Sequence, residues 1–410
     1  MREQDFRLIQ SQLQKVYNNS AFYAKKYKEV GLEPQDIKTE ADFTKIPFTS
    51  KADLRSAYPL GLQASPDEEI VRIHSSSGTT GQPVIIPYTQ KDVDDWELLM
   101  ARCMNTAGLT PLDRVQITPG YGLWTAGIGF QAGVEKISAM AIPMGPGNTE
   151  KQLEMMVNLK STVLISTSSY ALLLAEQVAQ RDIKDKICLK KGIIGSERWS
   201  SKMRQRICNE LDIEAFDIYG LTEVYGPGIS IDCTQHNGLH YWDDYLYFEI
   251  IDPNTAEVLP MGEEGELVIT TLKKEGAPLI RYRTRDITRL IPGECACGMK
   301  YPRHDLIKGR SDDMIKIKGV NIFPTQIDEV LQAVEGVSSE YRVEINREDG
   351  KDIMLLIFEA EVLDRAMLLM EKVSETFKRK IGITIATRAV AIGDLPRSEK
   401  KTKRIIDNRY

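Results

Sequence analysis

With 410 residues the chain is long enough for roughly two or three domains and for large buried cores. Its 53 basic and 59 acidic residues leave a net charge of −6, which excludes wholesale nucleic-acid binding, and 42% hydrophobic content is ordinary for a globular protein. The longest apolar runs, VLIS and MLLIF among them, are strand-sized and far short of a membrane span. The charged, amphipathic N-terminus MREQDFRLIQSQLQKVY has no signal-peptide core, and six cysteines in a chain this long make no disulfide framework. A reducing, cytoplasmic setting is expected.

The segment up to about Lys51 reads as helical, with Phe6, Ile9, Leu13 and Val16 at helical spacing. From Glu69 onward, short apolar strands alternate with amphipathic helices. EIVRIH and PVIIPYT flank a loop of small residues, DRVQITPG runs into a glycine-rich turn, and STVLISTSS leads into YALLLAEQVAQ. KGIIGSE precedes SSKMRQRICNEL, and EAFDIYGLTE ends in a polar turn. This alternation predicts an α/β fold with functional loops at the C-terminal ends of strands. Between about Ile229 and Leu290 the strands become consecutive, which predicts an antiparallel segment attached to the α/β core. A boundary is expected near Gly309–Asp313, giving a large domain over 1–310 and a compact α+β domain over 311–410.

Seven consecutive residues between the first two strands, Ser75, Ser76, Ser77, Gly78, Thr79, Thr80 and Gly81, carry nothing larger than a threonine side chain. Such a stretch is either a flexible surface turn or a phosphate cradle, in which backbone N–H groups and hydroxyls approach an anion closely. It is not a Walker A loop, because no Gly-Lys-Ser/Thr closes it and a strand follows. Five further segments decide the matter: GSE (Gly195–Glu197), YGLTE (Tyr219–Glu223), YRTRD (Tyr282–Asp286), GRSDDMIKIKG (Gly309–Gly319) and LPRSEKKTKR (Leu395–Arg404).

In order and spacing, SSSGTTGQP, YGLTEVYGPG, IRYRTRD, GRSDDMIKIKGVNIFPTQID and LPRSEKK resemble the adenylate-forming superfamily, most closely the phenylacetate–CoA ligases, over essentially the whole chain. The resemblance implies a large multi-layer domain of parallel and mixed sheets and a small mobile C-terminal domain. It implies an enzyme that joins a carboxylic acid to the α-phosphate of ATP and passes the acyl group to coenzyme A. Ser75 to Gly81 then correspond to the phosphate loop, although the lysine that the family often places there is replaced by Gln82 and Val84. Tyr219 corresponds to the ring that stacks on adenine, with Gly220 beside it. Thr222 corresponds to an α-phosphate contact and Glu223 to a Mg²⁺ ligand. Asp286 is the implied acceptor for the ribose hydroxyls and Arg310 a second ribose or phosphate contact. Gly195, Ser196 and Glu197 line the adenine and acyl side, and Asp312 is the implied hinge. Alignment on LPRSE gives Lys401 the catalytic place, with Lys400 a competitor one position away. KGVNIFPTQ (Lys318–Gln326) resembles the segment that meets CoA. The rival readings are an adenylate-forming enzyme with a non-CoA acceptor and a nucleotide-binding module without ligase activity. A homodimer is left open, and no nucleic-acid or membrane partner is expected.

Cys295 and Cys297 lie in GECACGMK, and CTQHNGLH offers Cys233, His236 and His240. Structural zinc takes four N or S ligands from turn-borne pairs. A hairpin tip at Asn237–Gly238 would bring Cys233 and His240 together, with His236 as the competing ligand. The alternative is reduced, unligated cysteines. Cys103, Cys188 and Cys208 read as core residues. The segment Gly120–Lys136 matches the family's acyl-pocket region. Tyr121, Trp124 and Phe130 are available to hold an aromatic ring there, and Val134 narrows a wall that is alanine in phenylacetate ligases. An aryl or arylacetic acid is the expected substrate.

Overall fold

The computed structural model describes residues 1–76, 82–317, 320–348, 351–397 and 404–409. Ser77, Gly78, Thr79, Thr80 and Gly81 of the small-residue loop lie outside the described residues, as do Lys318, Lys400 and Lys401. The fold is mixed α/β, as the alternating pattern predicts. It divides into two compact units, one of residues 1–145, 161–165 and 216–307, the other of 146–160, 166–215 and 308–410.

In the first unit, helix Glu3–Asn19 buries Ile9, Leu13 and Val16, while Phe6, one turn earlier, is half-buried. Strand Ile70–Ser75 pairs antiparallel with Ile85–Thr89. Thr89 caps the following helix, Gln90–Thr106, by accepting from the Asp92 N–H. Strand Arg114–Ile117 is flanked in parallel by Met140–Pro143 and Val163–Thr167. The expected antiparallel segment is present in two parts. Glu214–Leu221, Gly226–Asp232, Leu239–Tyr241, Arg303–His304 and Leu290–Ile291 pair in that spatial order. Leu246–Ile251, Gly265–Thr271 and Tyr282–Thr288 form the other part.

The strand that carries Asp286 is fixed from the N-terminal segment. Thr49 N–H donates to the Arg281 carbonyl at 2.9 Å and Arg283 N–H donates to the Thr49 carbonyl at 2.8 Å. Buried Arg281 grips Glu249 through two bonds of 3.2 and 3.0 Å and donates to the Thr44 and Ile46 carbonyls. Every member of this buried charge pair is hydrogen-bonded, the condition under which such a pair is tolerated.

In the second unit, strand Lys191–Gly195 accompanies helices Thr149–Asn158, Ser168–Gln180 and Ser201–Leu211. Its C-terminal part is the expected α+β fold. Val337–Glu348 and Lys351–Ala360 pair antiparallel, and Ile405–Asp407 and Ala386–Ala391 flank them in parallel. Helices Pro324–Gln332 and Ala366–Ile381 close its core with Ile327, Val330, Val373 and Phe377. No helix among the described residues is long and apolar enough to cross a membrane.

Candidate active site

The first unit gathers five of the residues singled out by sequence, Tyr219, Gly220, Thr222, Glu223 and Asp286, around one tight turn. Strands Glu214–Leu221 and Gly226–Asp232 approach so closely that a Cβ on Gly220 would lie 2.1 Å from the Gly226 carbonyl oxygen. Gly226 itself sits at φ +101°, a backbone conformation open to glycine. The pairing slips by two residues, from Tyr219 opposite Ser230 to Gly220 opposite Pro227, which sets the next residues out of the regular ladder. Thr222 and Glu223 are consequently buried on the turn. Thr222 Oγ1 lies 3.2 Å from Thr125 Oγ1, at the start of helix Ala126–Lys136.

Tyr219 donates its hydroxyl to Asp286 Oδ2 at 2.5 Å, and Asp286 N–H in turn bonds Thr284 Oγ1 at 3.0 Å. The Tyr219 ring leans edge-on against His304, centroids 5.7 Å apart. Glu223 forms an ion pair with Lys51, whose Nζ is 3.0 Å from Oε1. Lys51 opens a short helix capped by Ser50. Sequence reading missed this lysine, because its partner is 172 residues away and nothing local announces the contact.

Behind the turn, Lys274 is fully buried, with Nζ 3.7 Å from the Tyr88 ring centre and 4.4 Å from that of Tyr225. Burial pushes its ammonium down to about 8. Of the small-residue loop, Ser75 is buried and donates its N–H to the Leu123 carbonyl at 2.8 Å, and Ser76 Oγ accepts from Val84 N–H at 3.0 Å. Tyr121 is exposed and Trp124 half-buried, whereas Phe130 and Val134 are packed into the core.

The second unit carries the remaining candidates. Gly195 is buried at its strand end and Ser196 adopts a left-handed backbone, φ +67°. Glu197 accepts from Ser169 N–H at 3.0 Å and Ser168 Oγ at 3.2 Å, at the start of helix Ser168–Gln180. A carboxylate there is favoured by the helix dipole. Arg310 grips Asp312 with two bonds of 2.9 and 3.1 Å.

The four predicted metal ligands converge. One ligand atom from each of Cys233, His240, Cys295 and Cys297 lies within 4.8 Å of the others. Cys233 and Cys295 sulfurs are 3.8 Å apart, and Cys297 Sγ is 3.3 Å from His240 Nε2. His240 Nδ1 lies 2.7 Å from the Tyr301 carbonyl, which fixes the proton on Nδ1 and leaves the Nε2 lone pair toward the sulfurs. Burial holds this imidazole below its usual range and hence neutral. His236 instead pairs with Asp232 at 2.7 Å. Three thiols and one oriented imidazole fit a tetrahedral structural zinc site. Of the cysteines expected in the core, Cys103 is buried and Cys208 partly so, but Cys188 is exposed, because it sits in the connection ahead of strand Lys191–Gly195.

Comparison with known proteins identifies the family. The AMP-binding enzyme family model matches residues 12–272, and the AMP-binding enzyme C-terminal domain model matches 319–409. The phenylacetate–coenzyme A ligase of Pseudomonas putida is 40% identical over 100% of this chain and 94% of its own. That of Escherichia coli K12 is 40% identical over 97% and 92%. Among solved structures, 2-hydroxyisobutyryl-CoA ligase in its post-adenylation state superposes with a TM-score of 0.90 at 28% identity, over 99% of this chain and 89% of that one. The chain therefore belongs to the AMP-binding, adenylate-forming enzymes, and within them to the phenylacetate–coenzyme A ligase family. It is an ATP-dependent, AMP-forming acid–CoA ligase.

His304, which supports Tyr219, yields a pH prediction. Its Nε2 lies 2.6 Å from Ser230 Oγ and its Nδ1 2.7 Å from the Asp305 carbonyl. Burial pushes the imidazole from 6.5 down to about 4. Between those values the unfolded chain binds the proton and the folded one does not. Stability from this group is thus complete above pH 6.5 and is lost as pH falls toward 4, by about 3 kcal/mol. Chemical denaturation across that window should show the wild type losing more stability than His304→Gln. A wild-type-minus-variant difference that stays constant with pH contradicts the assignment.

Proposed function

We propose that the protein activates an aryl or arylacetic acid, with the residues around the Gly220 turn binding the nucleotide. The observation that carries this reading is the pairing of Tyr219 with Asp286 beside the buried Thr222 and Glu223. A tyrosine ring next to a carboxylate suits an adenine face and a ribose diol, since an ionised carboxylate accepts both hydroxyls in strong hydrogen bonds. Ser75, Ser76, Ser77, Gly78, Thr79, Thr80 and Gly81 serve as the phosphate loop, and Thr222 meets the α-phosphate.

Glu223 is the Mg²⁺ ligand. A hard cation needs only one or two carboxylates when phosphate oxygens complete its shell, and it supplies charge neutralisation of the triphosphate. Lys51 keeps Glu223 paired and stands in for the lysine that the loop lacks. Gly195, Ser196 and Glu197 take the adenine and acyl side, Arg310 contacts ribose or phosphate, and Asp312 is the hinge. The aromatic character of the acid is supported by Tyr121 and Trp124, which are not consumed by the core, and by the phenylacetate ligases at 40% identity.

The reaction has two steps. A carboxylate oxygen attacks the α-phosphorus and pyrophosphate leaves. The CoA thiolate then attacks the acyl carbon and AMP leaves. In the first step two negative groups approach one another, and Lys401 between them offsets the repulsion. Lys401→Ala should lower adenylation on the order of 10²–10³-fold, the effect of losing one oxyanion donor. The same variant should still convert a synthetic acyl-adenylate and CoA to thioester. Equal loss of both half-reactions contradicts the assignment, and retention of both moves the role to Lys400.

Zinc on Cys233, His240, Cys295 and Cys297 is proposed as structural, because four protein ligands leave no position open for chemistry. Elemental analysis of purified protein should find one zinc per chain, and chelation should lower the melting temperature. Metal-free protein indifferent to chelator returns these residues to ordinary thiols and imidazole.

A further inference from the structure

Arg397, four residues before Lys401, is not part of a solvated basic tail. Its side chain is 8% exposed and lies between two carboxylates. Glu176, on helix Ser168–Gln180, accepts from Arg397 Nη2 at 2.6 Å and from Nε at 3.0 Å. Glu359, on strand Lys351–Ala360, is wholly buried and accepts from Nη1 and Nη2 at 2.8 Å each. The chain is pinned again at Arg404, which donates to buried Glu340 at 2.9 Å and whose carbonyl accepts from Val343 N–H at 2.8 Å.

The two carboxylates on Arg397 differ in kind. Glu359 and Glu340 belong to the same four-stranded sheet as the tail, so those contacts travel with it. Glu176 belongs to a helix outside that sheet, and it has a second cation. Arg206 Nη2 lies 2.9 Å from Glu176 Oε1, and Arg206 also holds Glu210 at 2.7 Å. Glu359 likewise keeps the N–H groups of Gly393 and Leu395, at 3.0 and 3.2 Å. If the Glu176–Arg397 contact opens, Glu176 retains Arg206 and Arg397 retains Glu359. Breaking a buried ion pair is costly mainly because it strands a charge, and here no charge is stranded. A strong contact with a spare partner on each side is a releasable one.

We infer that Glu176 is a positioning residue for adenylation, a latch that holds Arg397 for the first half-reaction and lets go for the second. This rests on the reading of Lys401 as the adenylating lysine. Displacement of a catalytic group by about 1 Å is worth up to about 10²-fold in rate.

The test is Glu176→Gln, measured as acid-dependent pyrophosphate–ATP exchange and, separately, as thioester formation from synthetic acyl-adenylate and CoA. Exchange should fall tenfold or more in kcat with little change in the KM for ATP, as expected of lost positioning. Thioester formation and the melting temperature should stay at the wild-type level, and Glu176→Asp should recover part of the exchange rate. Unchanged exchange overturns the latch. So does equal loss of both half-reactions with a lowered melting temperature, the mark of a structural strut. Lys401→Ala run alongside separates the two claims. If it keeps exchange, the lysine assignment is wrong. If it loses exchange while Glu176→Gln does not, the latch alone is wrong.

Discussion

The close approach of two strands at Gly220 is the constraint on which the candidate site depends. A single methyl group there would collide with the Gly226 carbonyl. Because the backbones can meet, the chain turns within a few residues and buries Thr222 and Glu223 where a looser loop would leave them in water. Just before the slipped register, Tyr219 donates its hydroxyl to Asp286. The turn's backbone, the Thr222 hydroxyl and the Glu223 carboxylate are thus set by one packing requirement before any ligand arrives, a preorganisation of the kind that electrostatic catalysis needs.

Buried carboxylates recur through the molecule, and each is given a partner. Glu223 has Lys51, Glu249 has Arg281, Glu359 has Arg397 and two backbone donors, and Glu340 has Arg404. The pairs differ in what they do. Arg281 is bound on all sides and fixes the strand that bears Asp286. Lys51 is partly exposed and holds Glu223 through a single contact. Arg397 has two carboxylates and can exchange one.

Much of this was legible in the chain itself. Alternating strands and helices gave the α/β class, and the consecutive strands after Ile229 gave the antiparallel part, because both patterns are local. The metal cluster was legible as two short segments bearing cysteine and histidine, although the turn between the strands falls at Thr234–Gln235, not at the expected Asn237–Gly238 tip, and His240 pairs with Ile231 while Cys233 lies in the connection. The choice of His240 over His236 was not, since it depends on Tyr301 and Asp232 taking one imidazole each. Lys51, Lys274 and Glu176 carry no motif. Their roles come from partners far away in sequence, and a lysine or glutamate on a helix reads as a solvated residue until the fold supplies its neighbour. Cys188 was misread in the opposite direction, as apolar flanks suggested burial that the connection does not provide.

The central claim is that this chain makes an acyl-adenylate from an aryl or arylacetic acid before CoA takes part. Acid-dependent exchange of labelled pyrophosphate into ATP, measured without CoA across a panel of aryl, arylacetic and aliphatic acids, tests it most directly. The account predicts exchange that requires Mg²⁺, is fastest with arylacetic or aryl acids, and gives way to AMP and acyl-CoA when CoA is added. Exchange that is absent without CoA, or equally fast with every acid in the panel, would contradict it.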